Sequence, residues 1–165
     1  MALNSKTLAD SITSAFATFN PTAIIPAQQV SSAIGAYVQG GMSNLGGAPI
    51  SAPMIPALTS QLATIWSALY IDSITPAVLT ATAINTAYMP IQIVGGTHGL
   101  GGFIPGSLQF PLLKEGLITA YANPIQQPNV FGQLFATAVD SFIKSGQTYS
   151  TGTPPDFVSS VGPLQ

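Results

Sequence analysis

The chain has 165 residues, a length that suits one domain with one buried core and is too short for two full domains. Asp, Glu, Lys and Arg together make up 5% of it, against about 25% in a typical soluble domain, and the formal net charge is -2. There is no arginine, and the three lysines, Lys6, Lys114 and Lys144, are scattered, so neither a guanidinium fork nor a basic stripe can form and nucleic acid is excluded as a main partner. The absence of cysteine excludes disulfides, thiolate metal sites and Cys nucleophiles together.

The polarity that remains is nearly all hydroxyl and amide. Between residues 11 and 71 the only ionisable groups are tyrosine hydroxyls, and a surface with so little charge tends to adhere to something. Two settings tolerate it: a lipid bilayer, or a protein assembly that covers much of the surface. A spanning helix needs about 18 to 20 nearly continuous apolar residues. The best stretches, 55–71 and 76–94, are interrupted by Thr59, Ser60, Gln61, Thr64 and Ser67, and by Thr80, Thr82, Asn85, Thr86, Pro90 and Gln92. A secretory signal is not expected either, because Lys6 is followed by Thr7, Asp10, Ser11, Thr13 and Ser14 rather than by an apolar run.

Read for period, the chain predicts an all-α bundle of about five or six short helices. Leu8, Ile12, Phe16 and Phe19 mark the first, with Asn4 or Ser5 as cap and Asn20-Pro21 as stop. The second follows Pro26, with Val30, Ala33, Ile34, Tyr37 and Val38 on one face and Gly40-Gly41 at its end. Residues 43–54 read as a linker. A third helix starts near Pro56 and places Leu58, Leu62, Ile65, Trp66 and Leu69 together. Thr75-Pro76 opens a fourth that must stop before Pro90. Pro111 opens a fifth, with Leu113, Leu117, Ala120 and Tyr121 aligned and Asn123-Pro124 closing it, and a sixth runs from about Asn129 to Ser145 on Phe135, Ala138, Val139, Phe142 and Ile143. Leu8, Ile12, Phe16, Val30, Ile34, Tyr37, Leu62, Trp66, Leu69, Leu117, Tyr121, Phe135, Val139 and Phe142 are the expected core.

Helices two and six match in residue class at an offset of 105, which suggests a duplicated unit at 26–41 and 129–146 or merely two amphipathic helices. Residues 1–146 are then a helical domain. Residues 147–165, rich in Ser, Thr, Gly and Pro, are an extended tail. Between helices four and five, residues 91–109 lack helical period, hold six glycines (Gly95, Gly96, Gly99, Gly101, Gly102, Gly106) and carry apolar residues, more than an idle connection needs.

Catalytic chemistry finds few candidates. The single histidine, His98, lies in that glycine-rich stretch, where Asp72, Glu115 or Asp140 would have to approach it for general-base work. No G-x-S-x-G elbow is present, and Gly106-Ser107 is only a fragment of one. Gly99-Leu100-Gly101 has no third glycine at the required step and no following lysine for phosphate. A loop histidine making ordinary hydrogen bonds is the plain reading; copies of His98 meeting on a symmetry axis around a metal are the alternative. No catalytic residue, resident metal or cofactor is expected. Trp66, Tyr70, Tyr37, Phe142 and Phe135 lie at helical spacing among aliphatic residues and read as core rather than as a binding stripe.

The opening Met1-Ala2-Leu3-Asn4-Ser5-Lys6-Thr7-Leu8 with Ile12 and Ala15-Phe16, and the closing Ala138-Val139-Asp140-Ser141-Phe142-Ile143-Lys144-Ser145-Gly146 with Thr151-Gly152-Thr153-Pro154-Pro155, resemble the two ends of small virion structural proteins encoded among the tail and neck genes of tailed bacteriophages. The resemblance covers about a third of the chain. It implies a non-enzymatic component of a phage or phage-like particle (tail, neck, baseplate or capsid-associated), located in the virion and in contact with other virion proteins and with copies of itself. The alternative is a membrane-embedded or membrane-active helical protein such as a holin, although a membrane is the less expected partner; a small hydrolase is remote. The expected interface is the glycine-rich loop and the tail, through Leu100, Phe103, Ile104, Tyr149, Phe157, Val158 and Leu164. On this reading, removing 147–165 leaves a folded helical domain that no longer assembles.

Overall fold

Asn4 supplies the first helix with the side chain that a helix N-terminus requires: its Oδ1 accepts the Thr7 amide at 3.1 Å. In the computed structural model, which describes residues 3–18, 20–41, 48–94, 101–104, 109–123, 127–150 and 160–162, that helix is α1 (Ser5–Ala17). It is followed by α2 (Ile24–Gln39), α3 (Met54–Ser67), α4 (Ile74–Tyr88), α5 (Gln109–Ala122) and α6 (Pro128–Ser145). All six helices anticipated from period are present, and most of the described residues belong to them. The protein is a helical bundle.

Short connections join α1 to α2, α3 to α4 and α5 to α6, so each pair is a helical hairpin with antiparallel neighbours. Every helix packs on its neighbours in the chain, and α6 closes back onto α1. The result is a ring of three hairpins. The two helices with matching patterns, α2 and α6, flank α1, and their equivalent positions are buried in both: Val30 and Phe135, Ile34 and Val139, Tyr37 and Phe142, Val38 and Ile143.

The longer connections behave differently from the sequence expectation. Residues 43–54 and 91–109, read as linker and loop, contain β1 (Ala48–Ile50), β2 (Gln92–Val94) and β3 (Gly101–Ile104). The segment after α6, read as an extended tail, contains β4 (Gln147–Ser150) and β5 (Ser160–Gly162). The five strands form one antiparallel sheet in the order β1-β2-β3-β4-β5. Because they come from the connections that do not close hairpins, the sheet lies at one end of the bundle and the hairpin loops at the other. Residue 146 is therefore not the edge of the folded unit: Gln147 pairs with Ile104, Thr148 with Phe103 and Tyr149 with Gly102. Alternation does the sorting, with Pro49, Ile93, Phe103 and Thr148 buried and Gln92, Gln147 and Tyr149 exposed. Gly102 is glycine because the Tyr149 ring lies across it: a Cβ there would stand 3.0 Å from both Cε1 and the hydroxyl.

Between the two ends runs an aromatic column built on α6. Phe131 meets Phe16 at 4.8 Å and Tyr121 at 5.4 Å between ring centroids, and Phe135 at 5.6 Å; further along, Phe142 meets Tyr88 at 5.0 Å, and Tyr88 meets Phe103 of the sheet at 4.3 Å. Of the expected core, Leu8, Ile12, Val30, Ile34, Tyr37, Leu62, Leu117, Phe135, Val139 and Phe142 are buried, while Phe16, Trp66 and Tyr121 pack against it partly covered. Leu69 is not core at all. Helix α3 ends at Ser67, and Ala68 takes an extended conformation with ψ 150°, so Leu69 leaves the helical phase that would have carried it inward.

Helices α1 and α6 approach closely at Gly132, where a Cβ would lie 2.8 Å from the Thr13 backbone nitrogen and 3.0 Å from the Ala9 carbonyl oxygen. Backbone cannot step aside as a side-chain tip can. Gly132→Ala is expected to cost about 1 to 3 kcal/mol through overpacking, read from urea unfolding curves; an unchanged midpoint would mean that the two helices separate freely.

The interior also holds polar groups. The Tyr37 hydroxyl donates to Asp140, whose carboxylate also receives Lys144 Nζ at 2.8 Å. Tyr88 is 1% exposed, and its hydroxyl has no hydrogen-bond partner among the described residues. Burial pushes the hydroxyls of Tyr37 and Tyr88 well above the usual phenol range, Tyr37 being raised further by the neighbouring carboxylate. Burial raises Tyr121 to about 12, against partial relief from its hydrogen bonds to Thr80 and Trp66. The folded chain therefore holds these protons more tightly than the unfolded chain does. Stability is expected to be independent of tyrosine ionisation below about pH 10. It should then fall by about 1.4 kcal/mol per pH unit for each tyrosine that ionises only on unfolding. Unfolding midpoints measured through the alkaline range, beside phenolate absorbance, check this; phenolate appearing fully before any loss of structure would overturn it.

Candidate functional site

At the hairpin end the ring of helices does not close. Residues 20–23 and 68–73 border a cleft of about 1010 Å³ whose floor is Phe16, Trp66, Tyr121 and Phe131. The floor is thus assembled from α1, α3, α5 and α6, with Pro21, Tyr70, Pro26 of α2 and Pro76 of α4 on the walls. Its rings are fixed by one another and by a short polar chain: Phe16 and Trp66 meet edge to face at 5.2 Å, Trp66 Nε1 donates to the Tyr121 hydroxyl at 2.8 Å, and that hydroxyl shares a hydrogen bond with Thr80 Oγ1 at 2.9 Å. The polar atoms at the bottom are satisfied, so the floor offers apolar faces.

The rim is apolar and outward. Leu69 is 101% and Ile71 105% exposed, Ile74 is 55% exposed, and Ile24 and Ile25 are exposed on α2 between the lining residues Ala23 and Pro26. Such residues normally hide in a core or under a partner. The loop that presents them is tied down: Asp72 Oδ1 accepts the Thr75 amide at 2.6 Å and Oδ2 accepts Thr75 Oγ1 at 2.9 Å. The backbone hydrogen bond first, and then the hydroxyl, hold the Asp72 carboxyl below the usual carboxylate range, so it carries its charge at neutral pH. Among the described residues it is the only charged group lining the cleft.

This arrangement has little to offer covalent chemistry. Asp72 is engaged in the first turn of α4, and the Tyr121 hydroxyl is neutral at physiological pH. Among the described residues no three His, Cys, Asp or Glu side chains come together as a metal site would require. The cleft can bind, through aromatic and aliphatic contact.

Of the interface residues expected from sequence, the structure describes the side chains of Phe103 and Tyr149. Phe103 is 7% exposed and packs on Tyr88, so it completes the protein's own core rather than pressing into another chain. Ile104 lies on β3 opposite Gln147, and Tyr149 is 40% exposed on the outer face of the sheet, over Gly102. Leu100, Phe157, Val158 and Leu164, and His98 with them, lie outside the described residues. The cleft and its rim were missed in the sequence. The available signal was Leu69-Tyr70-Ile71, an apolar triplet at a point where a tight connection between helices is ordinarily polar.

Comparison with protein-family models, with curated proteins and with solved structures gave no match in any of the three.

Proposed function

We propose that this chain is a non-enzymatic structural component of a phage or phage-like particle, in the tail, neck, baseplate or capsid surface, and that it acts through protein-protein contacts made by the cleft end of the bundle. The observation that carries the reading is the pair Leu69 and Ile71, fully exposed on a tied loop beside an aromatic cleft. Covering one such side chain is worth about 1.5 to 3 kcal/mol, enough to make an uncovered rim a source of association. The charge-poor composition fits the same role, because little like-charge repulsion keeps copies or partners apart. The resemblance of the chain's two ends to small phage virion proteins supplies the particle.

The competing reading was a bilayer. No helix among the described residues is long and apolar enough to cross a membrane, so the described helices give that reading no span. Mass spectrometry of intact, gradient-purified particles from cells that make this chain tests the proposal: the chain is expected in fixed copy number in the particle fraction. Its recovery in the membrane fraction, with none in particles, would reject the virion role.

A further inference from the structure

We propose that the occupant of the cleft is a second copy of this chain: the knob Leu69–Ile71 of each copy seats in the aromatic cleft of the other about a two-fold axis, making a dimer joined through its hairpin ends. The inference rests on the reading of this face as a contact surface and names what it contacts. Knob and cleft are neighbours on one face, Ile71 standing at the cleft's own mouth and Leu69 just outside it. A surface that carries both a protrusion and a recess complements itself under a two-fold operation, which is the signature of an isologous contact.

The area is sufficient. Weighted by their exposures, Leu69, Ile71, Ile74, Ile24 and Ile25 present roughly 600 Å² of surface, counting a fully exposed aliphatic residue as about 180 Å². Covering this on both copies buries about 1,200 Å², the lower bound for a stable specific interface, before the cleft walls are added. Charge favours a copy over other occupants. No lysine lies between Lys6 and Lys114, and Asp72 is the only charged residue among the described residues that line the cleft, so none of these attracts an anionic surface or an acidic partner, and the ionic cost of pairing two copies is one tied carboxylate from each. At the sheet end, one of the two edge strands, β1, carries Pro49, which has no amide hydrogen to extend the ladder.

Trp66, the only tryptophan, sits on the cleft floor and reports occupancy. Sedimentation velocity and Trp66 emission of the purified full chain are to be measured as a function of concentration. A dimer is expected by about 10 µM, with emission moving to shorter wavelength and acrylamide quenching falling as the dimer forms. The double variant Leu69→Ser, Ile71→Ser should weaken association about 100-fold or more and abolish the emission shift, while its far-UV dichroism and melting stay as in the parent, because both side chains are fully exposed in the single copy. Leu79→Ser, 40% exposed on α4 away from the cleft, should leave the dimer intact. A parent chain still monomeric at about 100 µM, or a double variant that dimerises like the parent, overturns the proposal. Trp66 shielding that appears only on adding phosphatidylcholine vesicles also overturns it, in favour of a bilayer surface. Presence in or absence from particles is read separately, so the dimer and the virion role stand or fall apart.

Discussion

Phe131→Ala is expected to destabilise the fold by about 3 to 5 kcal/mol, a large share of the 5 to 15 kcal/mol typical of a domain. Phe131 is 1% exposed and stands where three helices meet, its ring touching Phe16 of α1, Tyr121 of α5 and Phe135 of its own helix. Neighbouring side chains are held too firmly to refill the void. Phe16 is fixed edge to face against Trp66, and Tyr121 is pinned by hydrogen bonds to Trp66 and Thr80. The hole would open into the cleft and admit water to the Trp66 indole. Urea unfolding followed by dichroism should show the lost stability, and native-state Trp66 emission should move to longer wavelength. Phe142→Ala, at 0% exposure against Tyr88, should cost a similar amount without the emission change, because it lies at the other end of the column. A loss under about 1 kcal/mol at Phe131 would mean that the aromatic column carries little of the stability.

Helix α6 was readable because Phe135, Val139 and Phe142 repeat at one helical face over eighteen residues, long enough for the period to outweigh local accident. Asn4 was readable as a cap for a different reason: its oxygen satisfies an amide that helix formation leaves open, which is a local need. Leu69 was misread because nothing in Ser67-Ala68 announces a stop. Neither residue is Gly or Pro, and the helix ends by an extended turn at Ala68 whose reason lies in the hairpin it must close. The sheet was invisible because its strands are three or four residues long, below the length at which alternation separates from chance, and because β1 to β4 are completed by partners distant in the chain, as when Ala48 pairs with Val94 and Gly101 with Ser150. The cleft was harder still. Phe16, Trp66 and Tyr121 each show helical period and were assigned inward, and Phe131 was not singled out; only the closure of α6 on α1 brings the four rings around one mouth.

Removing residues 147–165 is expected to cost roughly 3 to 5 kcal/mol, and not to leave the intact helical domain that the tail's composition suggested. Those residues contain β4, which lies between β3 and β5 and pairs with β3 across Gly101–Ser150, Gly102–Tyr149, Phe103–Thr148 and Ile104–Gln147. Each ladder bond lost is worth about 0.5 to 1.5 kcal/mol, and a backbone group left buried without a partner costs about 1 to 3 kcal/mol more. Thr148, at 3% exposure, is the inward neighbour of Phe103, so its loss also uncovers the residue that joins the sheet to Tyr88 and hence to the aromatic column. Glycine-rich β3 has no other neighbour on that side and becomes an unprotected edge. For a chain of this size the melting temperature should drop by about 10 °C or more, with aggregation following from the exposed edge. Truncation after Gly146 combined with thermal dichroism decides the matter: a melt within a few degrees of the parent would show that the sheet end contributes little and would return residues 147–165 to the role of an independent arm, whereas a broad early melt with the cleft-end emission of Trp66 preserved at low temperature would locate the loss at the sheet.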